Sequence, residues 1–507
     1  MKRLFEILLC AGFISVLVSF TFPTKKKSVY VFNYENVLGT SCEIKIDAKT
    51  PELANKAEQA ALQEVDRLNA ILSGYDSSSE FSHWSRTLNI PVPISQDLFQ
   101  VLGQFDKWNK KTKGAINASA ELGNKIWKLA AKNNREPSQE ELRNAVRLMV
   151  KPHWKLDSNA KTATRLDEVP IRLNSFTKSY IIEKASEEAA KVIGVSGVLV
   201  NIGGDMVIRG SHTENILISN PKADAENDDP IDEIRVQGKA VATSGNYRRG
   251  EWVNGIWHSH ILDPRTAIPS DDIISATVIS KDPVLAGVLA TAFNVLNPEE
   301  SQVLAAEFPD LDYFIRNKEG KVWKSEGWNR NQIPFTPNMN SKPHALIPGG
   351  KEWDAKYELV LNLELAEIEG IRVHRPFVAV WVVDKDKKPV RSIALWYNKP
   401  KYLDDMHAWY DAYYSRFTAG NNSVSSTTSA TRSPGKYKIK WDGKDDQGQL
   451  VKLGTYTLMV EVAREHGTYQ LMNHSFDFTK KVEPFQFSPN TEVSSASVEY
   501  LKKGNEE

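Results

Sequence analysis

Residues 241–269 read VATSGNYRRGEWVNGIWHSHILDPRTAIP, an order of residue types that few folds need. The stretch opens on a small-residue turn, in which the Ser244 hydroxyl can donate and Gly245 lacks a Cβ that would keep a bound group away. It closes with His260, Asp263 and Arg265 around a proline-fixed turn, which supplies a titratable ring, a carboxylate and a guanidinium. Alone, these residues are compatible with a ligand-binding loop or with a polar hairpin that holds an internal Asp–Arg ion pair.

Length and charge narrow the class of protein. The chain has 507 residues, too many for one ordinary core, so we expect two or three domains. Lys plus Arg and Asp plus Glu number 64 each, which gives a formal net charge of zero. This balance removes the electrostatic case for a general binder of nucleic acid or of anionic membranes. We expect a small molecule or a protein as partner, and no nucleic acid.

The N-terminus resembles an export signal, because a basic head at residues 1–3 precedes the mostly apolar residues 4–22. We assign residues 1–24 to a signal peptide or an N-terminal membrane anchor. Both alternatives stay open, since no clean cleavage site or lipobox is present and the run is marginal for spanning a membrane. The bulk is expected in the periplasm or at the outer face of the inner membrane. The only cysteines are Cys10 and Cys42, so a structural disulfide is not expected.

Residues 28–330 show the mixed periodicity of an α+β domain. Strands are predicted within 28–47, 154–173 and 198–208, from Ile216 and Ile234, and at 274–280. Helices are predicted at 51–72, 97–111, 118–133, 137–150, 175–192 and 283–295. Ser138 is expected to cap the fourth of these, with Glu141 three residues further on.

The character of the sequence changes after a stretch rich in Pro, Asn, Ser and Gly. We assign residues 331–352 to a linker and residues 353–484 to a β-sandwich. Its predicted strands lie at 357–365, 377–383, 392–396, 437–441 and 455–463. The polar residues 485–507 are expected to form a disordered tail.

Eight short motifs follow one another along residues 29–328. They are Leu38-Gly39-Thr40, Ser79-Glu80, Gly114-Ala115-Ile116-Asn117, Lys178, Asn201-Ile202-Gly203-Gly204-Asp205, Thr243-Ser244-Gly245-Asn246-Tyr247, His260-Ile261-Leu262-Asp263-Pro264-Arg265-Thr266 and Leu289-Ala290-Thr291-Ala292. Together they resemble the FAD:protein FMN transferases of the ApbE type. The resemblance implies an ApbE-like fold and a magnesium-dependent transfer of FMN from FAD to a Thr or Ser of an exported protein, with release of AMP. Such chemistry depends on neutralising pyrophosphate charge and on fixed donors rather than on a strong nucleophile.

The same resemblance implies roles for single residues. Those implied to be catalytic are Lys178, His260, Asp263 and Arg265. Those implied to contact FAD are Leu38, Tyr75, Ser175, Lys178, Ser244, Gly245 and His260. Mg²⁺ would be held by Thr291 and by the backbone carbonyl of Thr177.

The chain also departs from the family pattern. Gly287 stands where the family has an aspartate four residues before the metal-site threonine, and protein-held Mg²⁺ usually depends on one or two carboxylates. Ser175 and Ser179 stand where the family has glycines on either side of the lysine. Two hypotheses follow, an active transferase or a catalytically weakened FAD-binding scaffold of the same fold. Restoring an aspartate at Gly287 is expected to distinguish them.

The C-terminal part carries weaker resemblances. Residues 441–448, WDGKDDQG, resemble an Ig-like repeat of flagellar hook-capping proteins, and residues 374–381 resemble a small uncharacterised exported domain that occurs near flavin transferases. Residues 428–431 resemble the acceptor motif of flavinylated proteins. We therefore consider Thr431 as a possible flavin acceptor within the chain's own C-terminal domain, against the alternative of a flexible Ser/Thr-rich loop.

Overall fold

A computed structural model describes residues 28–223, 225–228, 230–247, 249–333, 351–368, 375–397, 405–418, 428–429, 432, 434–464 and 467–503. The expected signal or anchor, most of the expected linker and the acceptor candidate Thr431 lie outside these residues. Among the helices of the described residues, none is both long enough and apolar enough to cross a membrane.

The helices of the described residues fall mostly in the first two thirds of the chain. They are α1 (Pro51–Leu72), α2 (Glu80–Ser85), α3 (Gln96–Lys111), α4 (Ala120–Lys132), α5 (Gln139–Met149), α6 (Thr177–Ala190), α7 (Pro283–Val295), α8 (Pro298–Ala305), α9 (Trp328–Asn331) and α10 (His407–Thr418).

Strands occur throughout. Those before residue 330 are β1 (Ser28–Val37), β2 (Thr40–Ala48), β3 (Pro91–Pro93), β4 (Trp154–Asp157), β5 (Thr162–Arg165), β6 (Val195–Ile202), β7 (Asp205–Gly210), β8 (Thr213–Ile218), β9 (Asp232–Gln237), β10 (Ala240–Gly245), β11 (Gly250–Val253), β12 (Ile256–Ser259), β13 (Leu262–Asp263), β14 (Ile268–Pro269), β15 (Ile273–Ser280), β16 (Asp312–Asn317) and β17 (Val322–Lys324). The later strands are β18 (Tyr357–Leu365), β19 (Phe377–Asp384), β20 (Pro389–Trp396), β21 (Thr428–Ser429), β22 (Gly435–Trp441), β23 (Thr455–Ala463), β24 (Tyr469–Asp477), β25 (Phe485–Phe487) and β26 (Val493–Lys502).

One antiparallel sheet organises the N-terminal region, by which we mean residues 28–333. Its eight strands run in the order β1-β2-β6-β7-β10-β15-β16-β17. Helices α1, α6 and α7 pack on it, and α6 also packs on both α1 and α7. In α1 the residues Ala54, Ala57, Ala61, Val65 and Leu68 are buried at helical spacing, because that face lies on the core while the other meets solvent. The α+β fold expected for this region is confirmed.

Side-chain caps fix most helix starts. Ser138 accepts a hydrogen bond from the Glu141 amide at 3.2 Å, and Glu141 accepts one from the Ser138 amide at 2.6 Å, so the predicted capping box is present on α5. The Thr50 side chain accepts a hydrogen bond from the Leu53 amide at the start of α1, and the Asp282 side chain accepts one from the Leu285 amide at the start of α7. The first turn of α6 differs, since its N-cap residue Phe176 makes no side-chain cap. The amides at that helix start therefore remain open to another partner.

The C-terminal region, residues 351–503, forms two facing sheets. Their strand orders are β22-β18-β26-β25 and β21-β20-β19-β23-β24. A buried cluster that includes Trp353, Val380, Trp441, Val460 and Val498 fills the space between them, which confirms the all-β sandwich. In addition, α10 covers the outer face of the five-stranded sheet.

The expectation of a disordered tail at residues 485–507 was wrong. Residues 485–487 and 493–502 are strands β25 and β26, and β26 lies between β18 and β25 inside its sheet. Val493, Ala496 and Val498 are buried while the residues between them are more open. The stretch reads as polar because only one face of the strand is apolar, and that face completes the sandwich core.

Candidate functional site

A cleft of about 1760 Å³ opens at the end of the central sheet. It is bordered by the β1–β2 turn, the loop after α1, the start of α6, the end of β10, the loop after β12, and α7. The structure brings together here residues that lie far apart in the sequence. They are Leu38, Tyr75, Ser175, Thr177, Lys178, Ser244, Gly245, His260, Gly287 and Thr291.

Lys178 enters the cleft from the first turn of α6 and meets a carboxylate. Its Nζ lies 3.4 Å from Oδ2 of Asp205, the first residue of β7. Asp205 follows the turn at Gly203 and Gly204, both of which have positive φ, and a Cβ on Gly203 would lie 3.2 Å from the Lys178 Nζ. Burial raises the pKa of Asp205, and the Lys178 ammonium and the Thr243 amide partly oppose this. The pair places a fixed ammonium beside the uncapped start of α6, a combination that favours an anionic ligand.

Tyr75 offers an aromatic face at the cleft, with 79% of the residue exposed. The Arg172 guanidinium lies over this ring, 4.7 Å from its centroid, and the Asn174 amide donates a hydrogen bond to the Tyr75 hydroxyl at 2.9 Å. These two contacts fix the orientation of an otherwise exposed ring. A planar ligand can pack against it.

His260 lies in the loop between β12 and β13 with its ring open to the cleft. Its Nδ1 lies 3.0 Å from the carbonyl oxygen of Arg249. A carbonyl only accepts hydrogen bonds, so Nδ1 carries the proton and Nε2 is left as an acceptor. Crowding by neighbouring atoms desolvates the ring and lowers its pKa. At neutral pH the imidazole is neutral and able to take up a proton.

Ser244 and Gly245 form the end of β10 at the cleft wall. The Asn294 amide on α7 donates to the Ser244 carbonyl at 2.8 Å and ties the strand end to the helix. A Cβ on Gly245 would lie 2.6 Å from Cε1 of Tyr247. The lack of a side chain at Gly245 therefore makes room for the Tyr247 ring, and the contact of Gly245 with a ligand stays a prediction.

The structure does not bring Asp263 and Arg265 into the cleft lining. Arg265 Nε and Nη2 donate to the Asp263 carboxylate at 2.9 Å, and Nη1 donates to Glu300 at 2.9 Å. The hydrogen bond to Asp263 raises the pKa of Arg265, and the hydrogen bond to Glu300 adds to this. Desolvation lowers the pKa but does not outweigh them. With its guanidinium held by two carboxylates, Arg265 anchors the turn to the start of α8. These contacts are the ones that the polar-hairpin alternative expects, and a catalytic role of Asp263 and Arg265 stays a prediction.

The surroundings of Thr291 test whether the cleft fits Mg²⁺. The Thr291 hydroxyl donates to the carbonyl of Ser175 at 3.0 Å, and the Thr177 hydroxyl donates to the carbonyl of Leu173. Gly287, one turn before Thr291 on α7, provides no carboxylate, and Asp282 is engaged in capping α7. In the described part of the chain no group of three His, Cys, Asp or Glu side chains could hold a metal ion. These residues do not fit a carboxylate-held Mg²⁺.

Sequence reasoning missed four residues of this site. Asp205 lies within one of the eight motifs and Asn294 lies just after another. Nothing in the sequence indicated that Asp205 pairs with Lys178 or that Asn294 bonds to Ser244. Arg172 and Arg249 carried no motif at all. The signal available for Asp205 was the Gly-Gly-Asp turn, because a turn that allows close approach of backbone also positions the residue after it.

Comparison with known proteins places this geometry in a family. Residues 38–315, more than half of the chain, match the ApbE family. The chain belongs to the ApbE family. The recognition made from the motif order is thus confirmed.

Relatives and structures of the ApbE family agree with this. The FAD:protein FMN transferase of Haemophilus influenzae is 27% identical over 338 residues, which cover 62% of this chain and 96% of that protein. The one from Escherichia coli strain K12 is 25% identical and covers 55% of this chain and 82% of that protein. The crystal structure of the ApbE protein from Thermotoga maritima matches with a TM-score of 0.54 and 25% identity over 60% of this chain and all of that one.

The C-terminal region matches a different family. Residues 358–495 match the family described as "Predicted periplasmic protein (DUF2271)". This agrees with the expected resemblance to an uncharacterised exported domain, and it suggests export of the chain. The matched range includes β25 and the first part of β26, in accord with the structured C-terminus.

Proposed function

We propose that this ApbE-family protein binds FAD in the cleft and transfers FMN from FAD to a Ser or Thr hydroxyl of an exported acceptor protein, with release of AMP. The observation that carries the proposal is the convergence of Tyr75, Lys178 and His260 on one cleft beside the uncapped start of α6. These residues offer a ring face, a fixed ammonium and a proton acceptor. FAD presents two ring systems joined by a diphosphate, so a ring of FAD matches Tyr75 and the diphosphate matches Lys178, while His260 can take the proton of the acceptor hydroxyl.

The diphosphate is proposed to lie at the start of α6. The first-turn amides of α6 have no side-chain cap, and Lys178 adds a positive charge 3.4 Å from Asp205. Helix N-termini bind phosphate groups through such open amides and through the helix dipole. Arg172 and Arg249 border the same cleft and add positive charge.

In the proposed step the acceptor hydroxyl oxygen forms a bond to the phosphorus on the FMN side of the diphosphate. The bond from that phosphorus to the bridging oxygen breaks, and AMP leaves with the electron pair. The hydroxyl proton goes to Nε2 of His260, since Nδ1 already donates to the Arg249 carbonyl. The proposal contains no step through a protein-bound metal, because the donors around Thr291 and Gly287 do not fit one.

The test is incubation of the full chain with FAD and a Ser/Thr-containing peptide of an exported protein, with and without Mg²⁺. AMP release together with an FMN-sized mass gain on the peptide supports the transferase, and the comparison of the two conditions reports the Mg²⁺ dependence that the resemblance implies. A gain on the chain itself would direct attention to Thr431. Absence of AMP and of any mass gain under both conditions contradicts the proposal.

A second candidate is an FAD-binding scaffold with weakened catalysis. The observation that favours it is Gly287, which supplies no carboxylate at the position where the family has one. In that case FAD binds to the cleft and stays intact. Tight FAD binding in the same incubation, without AMP, supports this candidate over the first.

A further inference from the structure

Helices α6 and α7 touch at one unusual pair of residues. Ser179, in the first turn of α6, is 4% exposed, and its Oγ has no hydrogen-bond partner among the described residues. Gly287 of α7 is buried opposite it. A buried hydroxyl without a hydrogen-bond partner destabilises the folded state, so its presence here needs a physical reason.

The space at Gly287 is already filled by Ser179. A Cβ at Gly287 would lie 2.1 Å from the Ser179 Oγ and 2.9 Å from the Ser179 Cβ, with the Phe176 Cβ at 3.6 Å. Contacts under 3.0 Å are not tolerated between such atoms, and both helices are packed in the core. No side chain, charged or not, fits at Gly287 while Ser179 keeps its position.

We infer that Ser179 and Gly287 form a coupled pair. The Ser179 side chain on α6 occupies the volume that a metal-binding carboxylate at position 287 of α7 would need. The chain thereby lacks both the carboxylate ligand of a divalent-cation site and the space for it. The coupling is a property of the α6–α7 contact and does not depend on the proposed function. Only its consequence for FMN transfer rests on that function. The coupling also predicts, in contrast to the expectation from the sequence, that an aspartate at Gly287 alone does not restore the site.

The coupling is measured first without any ligand, by thermal unfolding of Gly287→Ala, Ser179→Gly and the double variant of the full chain. Gly287→Ala is expected to lower the unfolding midpoint by several degrees, because the new methyl overlaps Ser179. In the Ser179→Gly background the same change is expected to have a much smaller effect or to raise the midpoint, as Ala favours a helix over Gly. Equal effects of Gly287→Ala in the two backgrounds overturn the inference.

The metal part is tested with Mn²⁺ alone as the probe, in titrations of the wild type, Gly287→Asp and the Ser179→Gly, Gly287→Asp double variant. We expect at least a tenfold tighter Mn²⁺ affinity for the double variant than for the wild type, and a lower midpoint of unfolding for Gly287→Asp than for the double variant. Stoichiometric Mn²⁺ binding by the wild type that is lost in Thr291→Val contradicts the inference. So does a Gly287→Asp single variant as stable as the double variant.

FAD titration of the same proteins separates this inference from the proposed function. A wild type that binds no FAD contradicts the proposed function and leaves the coupling measured by the unfolding cycle intact. Conversely, a wild type that binds FAD and yields no coupling between Ser179 and Gly287 contradicts only the inference.

Discussion

Lys178 contributes to the cleft through contacts that three separate segments supply. The start of α6 places it, the Gly203–Gly204 turn leaves room for its ammonium, and Asp205 holds the charge 3.4 Å away. The side chain keeps 35% of its surface exposed toward the cleft, so its charge is available to a ligand as well as to Asp205. An ammonium group held in this way binds an anion more strongly than the ammonium group of a freely moving surface lysine.

Removing this ammonium is expected to weaken FAD binding. Lys178→Ala should raise the dissociation constant of FAD by about tenfold or more, the equivalent of one charge-assisted hydrogen bond of roughly 1.5–3 kcal/mol. Lys191→Ala, at the other end of α6 and 66% exposed, is the matched control and should leave the constant unchanged. Equal affinities for FAD in both variants would show that the diphosphate does not lie at Lys178.

His260 predicts the pH dependence of FMN transfer. Since desolvation lowers its pKa below 6.5, the neutral ring that accepts a proton persists at neutral pH and is lost only in more acid solution. The transfer rate should therefore be flat around pH 7 and fall on the acid side, with a midpoint below 6.5. His260→Gln should be slow at all pH values and lack this acid limb. An acid limb that persists in His260→Gln would assign the titration to another group.

At the scale of elements, β2 and β8 are joined by a buried network of charges. His212 donates from Nδ1 to Asp47 at 2.8 Å and from Nε2 to Glu214 at 3.0 Å, and Lys45 pairs with Glu214 at 2.8 Å. Desolvation lowers the pKa of His212, but the hydrogen bonds to the two carboxylates outweigh it and raise the pKa to about 9. The charged imidazole thus belongs to the folded state.

This network predicts that stability falls at high pH. The folded pKa of His212 lies above its unfolded value of 6.5, so its stabilisation is complete below pH 6.5 and is lost as the pH rises through about 9. The contribution is up to about 3 kcal/mol of unfolding free energy. Urea denaturation of the wild type and of His212→Gln should differ clearly at pH 6 and converge near pH 10. A difference that is constant with pH would contradict the assignment.

The elements also indicate what the sequence alone could predict. Periodicity and capping residues predicted α1, α5 and α7 because these signals are local. The strand β26 was missed because its pattern has meaning only beside β18, a contact between residues more than 100 positions apart. The site was predicted as a set by motif order, whereas the pairing of Lys178 with Asp205 and the filling of the space at Gly287 depend on tertiary packing. The ion pair of Arg265 with Glu300 was not foreseen, because a motif does not reveal a partner that lies 35 positions further along the chain.

At the scale of the whole molecule, a loop of the N-terminal region attaches to the edge strand β22 of the sandwich. The Glu226 amide donates to the Lys438 carbonyl at 2.8 Å, and its carboxylate pairs with Arg432 at 3.0 Å. The Asn227 amide donates to the Lys440 carbonyl at 2.8 Å and accepts from the Lys440 amide at 3.0 Å. These contacts cover part of an edge strand that, within the part of the chain that the structure describes, has no neighbouring strand on that side.

Breaking the amide contact should loosen this junction without unfolding either region. In Asn227→Ala, hydrogen exchange at the Lys440 amide should accelerate by about tenfold, as expected for the loss of two hydrogen bonds of about 0.5–1.5 kcal/mol each. Asn159→Ala, an exposed asparagine in the β4–β5 turn, is the matched control and should leave the exchange at Lys440 unchanged. Unaltered protection of Lys440 in Asn227→Ala would mean that the junction is held by other contacts.

The FAD site itself is tested most directly by a crystal structure of the full chain soaked with FAD. We predict a ring of FAD against Tyr75, a diphosphate oxygen within hydrogen-bond distance of the Lys178 Nζ and of the first amides of α6, and no metal ion bound by Gly287 or Ser179. Density for FAD elsewhere, such as in the cavity of about 950 Å³ between β8 and β22, with the cleft at Lys178 empty, would contradict the account.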